Sequence, residues 1–288
     1  MQLNNTAHFL AMDGAYEAAE VVVFGAPFDG TTSYRPGTRF AASGMRHESE
    51  GIETYSPVLD LDLATAKIRD IGDLEFPRGN TVKSLSEIKK VARKILTDQK
   101  KPLMLGGEHL VTLPVVEAIV EKYPYVYLLH FDAHTDLRQT YLGEPLSHAT
   151  VIRRCWDLLG DGRIFQFGIR SGTKAEFDFA LVEEHTSMER FTVSTLRDVL
   201  QQIGEKPVYV TLDLDVLDPA LFPGTGTPEP GGLTYRELET VFLALKEANI
   251  TLVGADMVEL SPHYDQSNVS TIVACKVLRE LSLLMADK

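Results

Sequence analysis

Apolar positions along this chain fall into short continuous runs separated by longer stretches in which they recur at helical spacing, and the two patterns alternate from end to end. The runs VVVFG (21–25), KIRDIGD (67–73), PLMLGG (102–107), VYLLHF (126–131), RIFQFGIR (163–170), PVYVTLDLD (207–215) and TLVGADMVEL (251–260) predict strands. A shorter strand is expected near Met188 to Phe191. Between them, Leu85, Ile88, Val91, Ala92, Ile95 and Leu96 share one helical face, as do Val151, Ile152, Cys155, Trp156 and Leu159, and again Leu238, Val241, Leu245 and Ala248. Val269 to Met285 predicts a final helix packed on the sheet. Strands alternating with crossover helices predict an α/β fold, a three-layer αβα sandwich around a mainly parallel sheet of about eight strands. No repeat or low-complexity linker interrupts the alternation, so residues 1–288 are expected to form a single domain.

Composition adds little to that fold but narrows the partners. With 44% hydrophobic and 24% charged residues, the chain has enough apolar surface for a large core. A formal net charge of −13 opposes phosphate binding and favours cationic ligands, so nucleic acid is not an expected partner. The N-terminus lacks a basic start followed by an apolar run, and no stretch approaches bilayer length, so no membrane association and a cytoplasmic location are expected. Cys155 and Cys275 lie among helix-periodic apolar residues and read as buried free thiols.

Glycine and proline concentrate in GAPFDGTTSYRPGTRF (25–40) and DPALFPGTGTPEPGGL (218–233), each directly after a predicted strand. Long structured loops at strand ends are where α/β proteins place their sites. Charge clusters in the same places. LLHFDAHTD closes an apolar strand with Asp132, His134 and Asp136 spaced two apart, so in extended backbone all three project to one side. PVYVTLDLD repeats the device with Asp213 and Asp215, and PLMLGGEH supplies His109 beyond two glycines. A lone aspartate or histidine in such a place is usually a cap or a turn former. Six at three matched strand ends need another explanation, because clustered carboxylates are costly without cations. Four aspartates bring −4, two divalent ions bring +4, and two neutral imidazoles complete the shell. An oxygen-rich set with two histidines and no cysteine favours Mn²⁺ over a closed zinc site.

LGGEH, FDAHTD and DLDVLDP, in this order, resemble the metal-binding signatures of the ureohydrolase family, which includes arginase, agmatinase, guanidinobutyrase and formimidoylglutamase. The resemblance runs from about Gly25 to Ser261. It implies the arginase/deacetylase-like form of the fold, two Mn²⁺ shared by His109, Asp132, His134, Asp136, Asp213 and Asp215, and assembly into trimers or hexamers. A water between two such ions loses its proton near neutral pH and can attack a planar guanidinium carbon. His148, in GEPLSHAT, matches the family's catalytic histidine and is the expected proton shuttle; read without the family, it is a helix-start histidine beside Ser147. Glu259, in DMVELSP, resembles the family glutamate that binds the substrate guanidinium, whose fork suits a carboxylate. His130 reads as a satisfied core histidine or a partner of Asp132, and His8, His47, His185 and His263 carry no constellation.

The stretch LRQTYLGEPLSH lacks the carboxylate-binding pattern that arginases carry there and presents Glu144 instead, which suits a substrate with a cationic far end. Its neighbours PFDGTTSYRPGTRF and PGTGTPEPGGL also resemble agmatinase-type sequences, so the expected substrate is agmatine, cleaved to urea and putrescine, with Glu144 receiving its amine. The competing readings are another member of the family acting on a different guanidine, a non-catalytic regulator that keeps the metals as structure, and a one-zinc deacetylase, which the complete two-metal set opposes.

Overall fold

The apolar runs become strands because valine, isoleucine, leucine and phenylalanine dominate them and both faces of the sheet are covered. Val21–Ala26 and Ile164–Ile169 are buried at every position. The computed structural model describes residues 3–4, 7–77 and 79–288. Its main sheet contains β1 (Leu3–Asn4), β2 (Val21–Ala26), β3 (Ile68–Leu74), β4 (Lys101–Gly106), β5 (Tyr127–Phe131), β6 (Ile164–Ile169), β7 (Ser187–Arg190), β8 (Pro207–Asp213) and β9 (Thr251–Val258). Their spatial order is β1-β3-β2-β4-β9-β8-β5-β6-β7. Eight strands are parallel, and the two-residue β1 pairs antiparallel with β3 at one edge.

Helices cover both faces. On one side α2 (Thr81–Thr97), α3 (Thr112–Lys122) and α4 (Val151–Leu159) pack Ile88, Val116 and Ile152 against Phe24, Met104, Leu128 and Tyr209. On the other, α1 (Ala41–Glu48), α5 (Leu196–Ile203), α6 (Tyr235–Glu247) and α7 (Val269–Asp287) pack Met45, Leu200, Val241 and Leu278 against Val23, Leu103, Phe131 and Val210. The three-layer αβα reading of the sequence therefore holds. Local signals set the helix ends: Asn80 accepts the Lys83 N–H at 3.0 Å to start α2, a reciprocal Thr234–Glu237 box starts α6, and Gly160 at φ 75° stops α4. Cys155 and Cys275 are free and buried, as expected.

Three of the seven helices named above went unmarked by the sequence pattern. α3 reads TLPVVEAIVEK, apolar on nearly every side because it is buried almost all round, so no amphipathic stripe distinguishes it. α1 and α5 have only eight residues each, and α1 follows a loop rich in glycine and proline. Among the described residues, no helix is long and apolar enough to cross a membrane.

The order places β4, β9, β8 and β5 side by side at the centre of the sheet. Thr211 of β8 registers with His130 of β5, Asp213 with Val258 of β9, and Met257 of β9 with Leu105 of β4. The segments leaving these four carboxyl ends carry His109, Asp132, Asp213 and Glu259, and the layered fold brings them to one place.

Candidate metal centre

Five of the six sequence-predicted ligands are buried, and all six stand at the ends of β4, β5 and β8. His109 Nδ1 lies 3.0 Å from Asp132 Oδ2, 3.1 Å from Asp136 Oδ2 and 3.2 Å from Asp213 Oδ2. His134 Nδ1 lies 3.4 Å from Asp132 Oδ1 and 3.0 Å from Asp215 Oδ2. The donors thus form two groups that share Asp132, one around His109 and one around His134. Asp136 sits at φ 51° and Glu259 at φ 66°. A left-handed backbone at a residue other than glycine costs on the order of 1 kcal/mol, and here it turns both carboxylates inward.

The residues behind the donors fix their orientation. Thr211 Oγ1 donates to Asp256 Oδ1 at 2.7 Å, so it accepts the Nε2–H of His109 at 3.0 Å. Tyr209 holds the other oxygen of Asp256 at 2.6 Å. With the ring neutral, His109 therefore carries its proton on Nε2 and presents the Nδ1 lone pair to three carboxylates. His130 lies 2.8 Å from Asp132 through Nε2 and 3.0 Å from Gln166 through Nδ1, making it the buried partner of Asp132. His134 donates its backbone N–H to Asp132 Oδ1 at 2.6 Å, and Asp215 Oδ1 accepts that of Ala133 at 3.1 Å.

A lone pair aimed at three carboxylates within 3.2 Å is repulsive unless a cation lies among them. Titration tells the same story. Burial and then the neighbouring Asp132 push Asp136 up to about 7, and burial with Asp215 and Asp132 holds Asp213 well above the carboxylate range. Burial opposes charge on His109, but the surrounding carboxylates outweigh it and raise its pKa well above the imidazole value. Protons stand where positive charge is wanted. Oxygen and imidazole donors with this charge fit divalent cations such as Mn²⁺.

The donors open into a cavity of about 270 Å³ lined also by His148, Glu259, Ser33, Arg138, Tyr141 and Glu176. Glu259 Oε1 accepts the backbone N–H of His109 at 2.8 Å, and burial, then Glu108, holds its pKa well above the usual value. His148 begins a short helical turn capped by Ser147, the helix-start position read from its residues alone. Burial pushes its pKa down to about 4. Glu144 is placed elsewhere. It is exposed and lines a neighbouring hollow of about 420 Å³, which shares Ser33 and Tyr141 with the cavity.

Several site residues gave no sequence signal. Thr211, Tyr209 and Asp256 sit inside strands, where threonine and tyrosine are ordinary and the alternation looks like pleat. Glu176 precedes no apolar strand end, yet it lines the cavity and ties together Thr135, Leu137 and Thr173. Glu108 was legible only as the neighbour of His109; it clamps Thr31 and Thr32 of the first long loop. The second loop is pinned by Arg170, which donates to the carbonyls of Asp215 at 2.7 Å and Glu229 at 2.9 Å. Gly107 packs so closely that a Cβ would stand 2.1 Å from the Phe28 carbonyl oxygen, which explains a glycine just before the ligand segment.

Known proteins share this arrangement of sequence and fold. The arginase-family model matches residues 19–284. The agmatinase of Bacillus cereus is 47% identical over 276 residues, covering 96% of this chain and 95% of that protein. A crystal structure from Clostridium difficile is 56% identical and superimposes with a TM-score of 0.94, covering 95% of this chain and 99% of that one. The agmatine ureohydrolase of Thermoplasma volcanium is 34% identical, with a TM-score of 0.86 and coverage of 99% and 96%.

Proposed function

We propose that this chain, which belongs to the arginase family, is a single-domain hydrolase that cleaves the guanidinium group of agmatine to urea and putrescine. The observation that carries the reading is one cavity in which the carboxylate–imidazole cluster, a buried glutamate and a half-buried histidine face each other. The similarity to agmatinases over nearly the whole chain supports agmatine within that class.

His109, Asp132, Asp136 and Asp213 would hold one Mn²⁺, and Asp132, His134, Asp213 and Asp215 a second. Bound there, the ions would supply a water-derived nucleophile near neutral pH and neutralise the four aspartates. Glu259 binds the guanidinium. One of its oxygens already takes the His109 N–H, which leaves the other to accept substrate N–H groups. The guanidinium would thereby be held beside the carboxylate–imidazole cluster that lines the same cavity. His148 is neutral at working pH because burial disfavours its charged form, so it can take a proton and return it to the departing amine nitrogen. Without that proton the C–N bond would break to a poor leaving group.

A second reading, hydrolysis of a guanidino acid, is favoured by Arg138. This cation lines the cavity with its guanidinium 4.6 Å from the Tyr141 ring centre, where a carboxylate tail could meet it. Glu176, 3.5 Å from Arg138 Nε, offsets that charge and keeps agmatine first. Urea release from agmatine, arginine and 4-guanidinobutyrate after Mn²⁺ reconstitution separates the readings. Agmatine is expected to give the highest kcat/KM; preference for 4-guanidinobutyrate would move the assignment to the guanidino acids, and no release from any would reject both.

A further inference from the structure

Both ring nitrogens of His148 meet hydroxyl groups. Ser33 Oγ lies 3.2 Å from Nε2 and Ser147 Oγ 3.3 Å from Nδ1. A hydroxyl can donate or accept by rotating, whereas a carboxylate only accepts and so favours the charged ring. Ser147 Oγ accepts the Ala149 N–H at 3.4 Å and can accept Nδ1–H with its second lone pair in the neutral and in the charged ring. When the ring is neutral, the Ser33 hydroxyl can donate to the Nε2 lone pair. When the ring is charged, Nε2–H can donate to the Ser33 oxygen, so the proton that comes and goes is on the nitrogen beside the cavity-lining Ser33. The pair of hydroxyls therefore lets His148 gain and lose a proton without stranding a ring nitrogen.

We infer that Ser33 is a positioning residue for His148, its hydroxyl donating to Nε2 of the neutral ring, accepting Nε2–H of the charged ring, and keeping that edge of the ring turned to the cavity. The inference deepens the reading of His148 as proton shuttle and rests on it. Ser33 and His148 line the same cavity. The loop that carries Ser33 is anchored at the metal end: Glu108 accepts the Thr31 N–H at 2.9 Å, the Thr32 hydroxyl at 3.0 Å and the Thr31 hydroxyl. Thr31 Oγ1 in turn accepts the backbone N–H of His148 at 3.2 Å. Thr31–Ser33 thus joins the residue next to His109 with the shuttle. Tyr141 meets the ring edge-to-face at 5.6 Å, and the charged groups acting on it are His134, His109 and Arg138. None of these replaces the Ser33 hydroxyl. Ser33 is itself exposed, so removing its oxygen leaves the fold in place.

Ser33→Ala, with Ser33→Thr as the variant that keeps the hydroxyl, tests this on the full metal-loaded chain. Nitrogen-15 NMR of the imidazoles, with Mg²⁺ as the diamagnetic ion, reads the ring without any substrate. The parent is expected to show His148 as the Nδ1–H tautomer, Ser33→Ala a mixture of tautomers, and Ser33→Thr the parent state. In urea release with Mn²⁺, Ser33→Ala should lower kcat roughly tenfold while KM stays within about twofold. Ser33→Thr should recover most of that loss. An unchanged tautomer in Ser33→Ala overturns the inference. A parent that releases no urea would reject the proposed reaction instead, and the NMR result would still decide the role of Ser33.

Discussion

At the inner end of the cavity, His109, Asp132, Asp136, Asp213 and Asp215 are buried, and each leaves a central strand whose register with its neighbours is fixed. At the outer end, Arg138 and Tyr141 stand on loops and are held mainly by each other and by Glu176. The inner groups have no freedom to rearrange without moving the sheet. The outer ones can be exchanged with little effect on it. Chemistry is thereby separated from choice of substrate, and the two ends should respond differently to mutation.

The largest effect should come from the inner end. Asp213→Ala removes a donor that faces His109, so the chain should bind fewer Mn²⁺ ions and urea release should fall to background, measured by metal analysis and assay on the same sample. An outer-wall variant with an equal loss of metal would break the contrast. A step outward in effect, Asp256→Asn weakens the Thr211–His109 chain without touching a donor. Mn²⁺ affinity should drop roughly 10- to 100-fold, as it does when residues orienting a metal ligand are lost, and titration of the metal-free protein reads it directly.

How much of this contrast was legible in the sequence follows the same division. Asp132, His134, Asp136, Asp213 and Asp215 stood out because charge at the end of an apolar strand contradicts its surroundings. Sheet order could not be read, since nothing local says that the strand ending at Gly106 lies two places from the one ending at Asp213. Thr211 and Asp256 stayed hidden because their roles depend on that order. Glu144 illustrates the limit at the outer end: charge and position recommended it, but the left-handed turn at Leu142 and Gly143 carries it to the neighbouring hollow. Loop direction depends on a few backbone angles that hydrophobic patterning does not record.

A smaller effect concerns pH. Asp136 in the metal-free protein has its pKa raised from 3.8 to about 7, chiefly by burial. A raised acid favours the folded state while protonated, so its contribution is complete below the unfolded value and is lost as pH rises through about 7. The melting temperature of the metal-free chain should therefore fall by a few degrees between about pH 6 and 8, and Mn²⁺ should abolish the fall. A metal-free chain equally stable at both values would remove the evidence of strain at the inner end.

The smallest effect should come from Glu144→Gln. Its carboxylate is exposed to solvent and outside the cavity, so the KM for agmatine should change less than about threefold. A tenfold rise would bring Glu144 into the substrate path and join the neighbouring hollow to the cavity.

The central claim is that the inner end holds a pair of divalent cations. Anomalous diffraction from crystals grown with Mn²⁺ tests it most directly. Two peaks are expected, one among His109, Asp132, Asp136 and Asp213, the other among Asp132, His134, Asp213 and Asp215. A single peak, or none between these donors at saturating Mn²⁺, would contradict it.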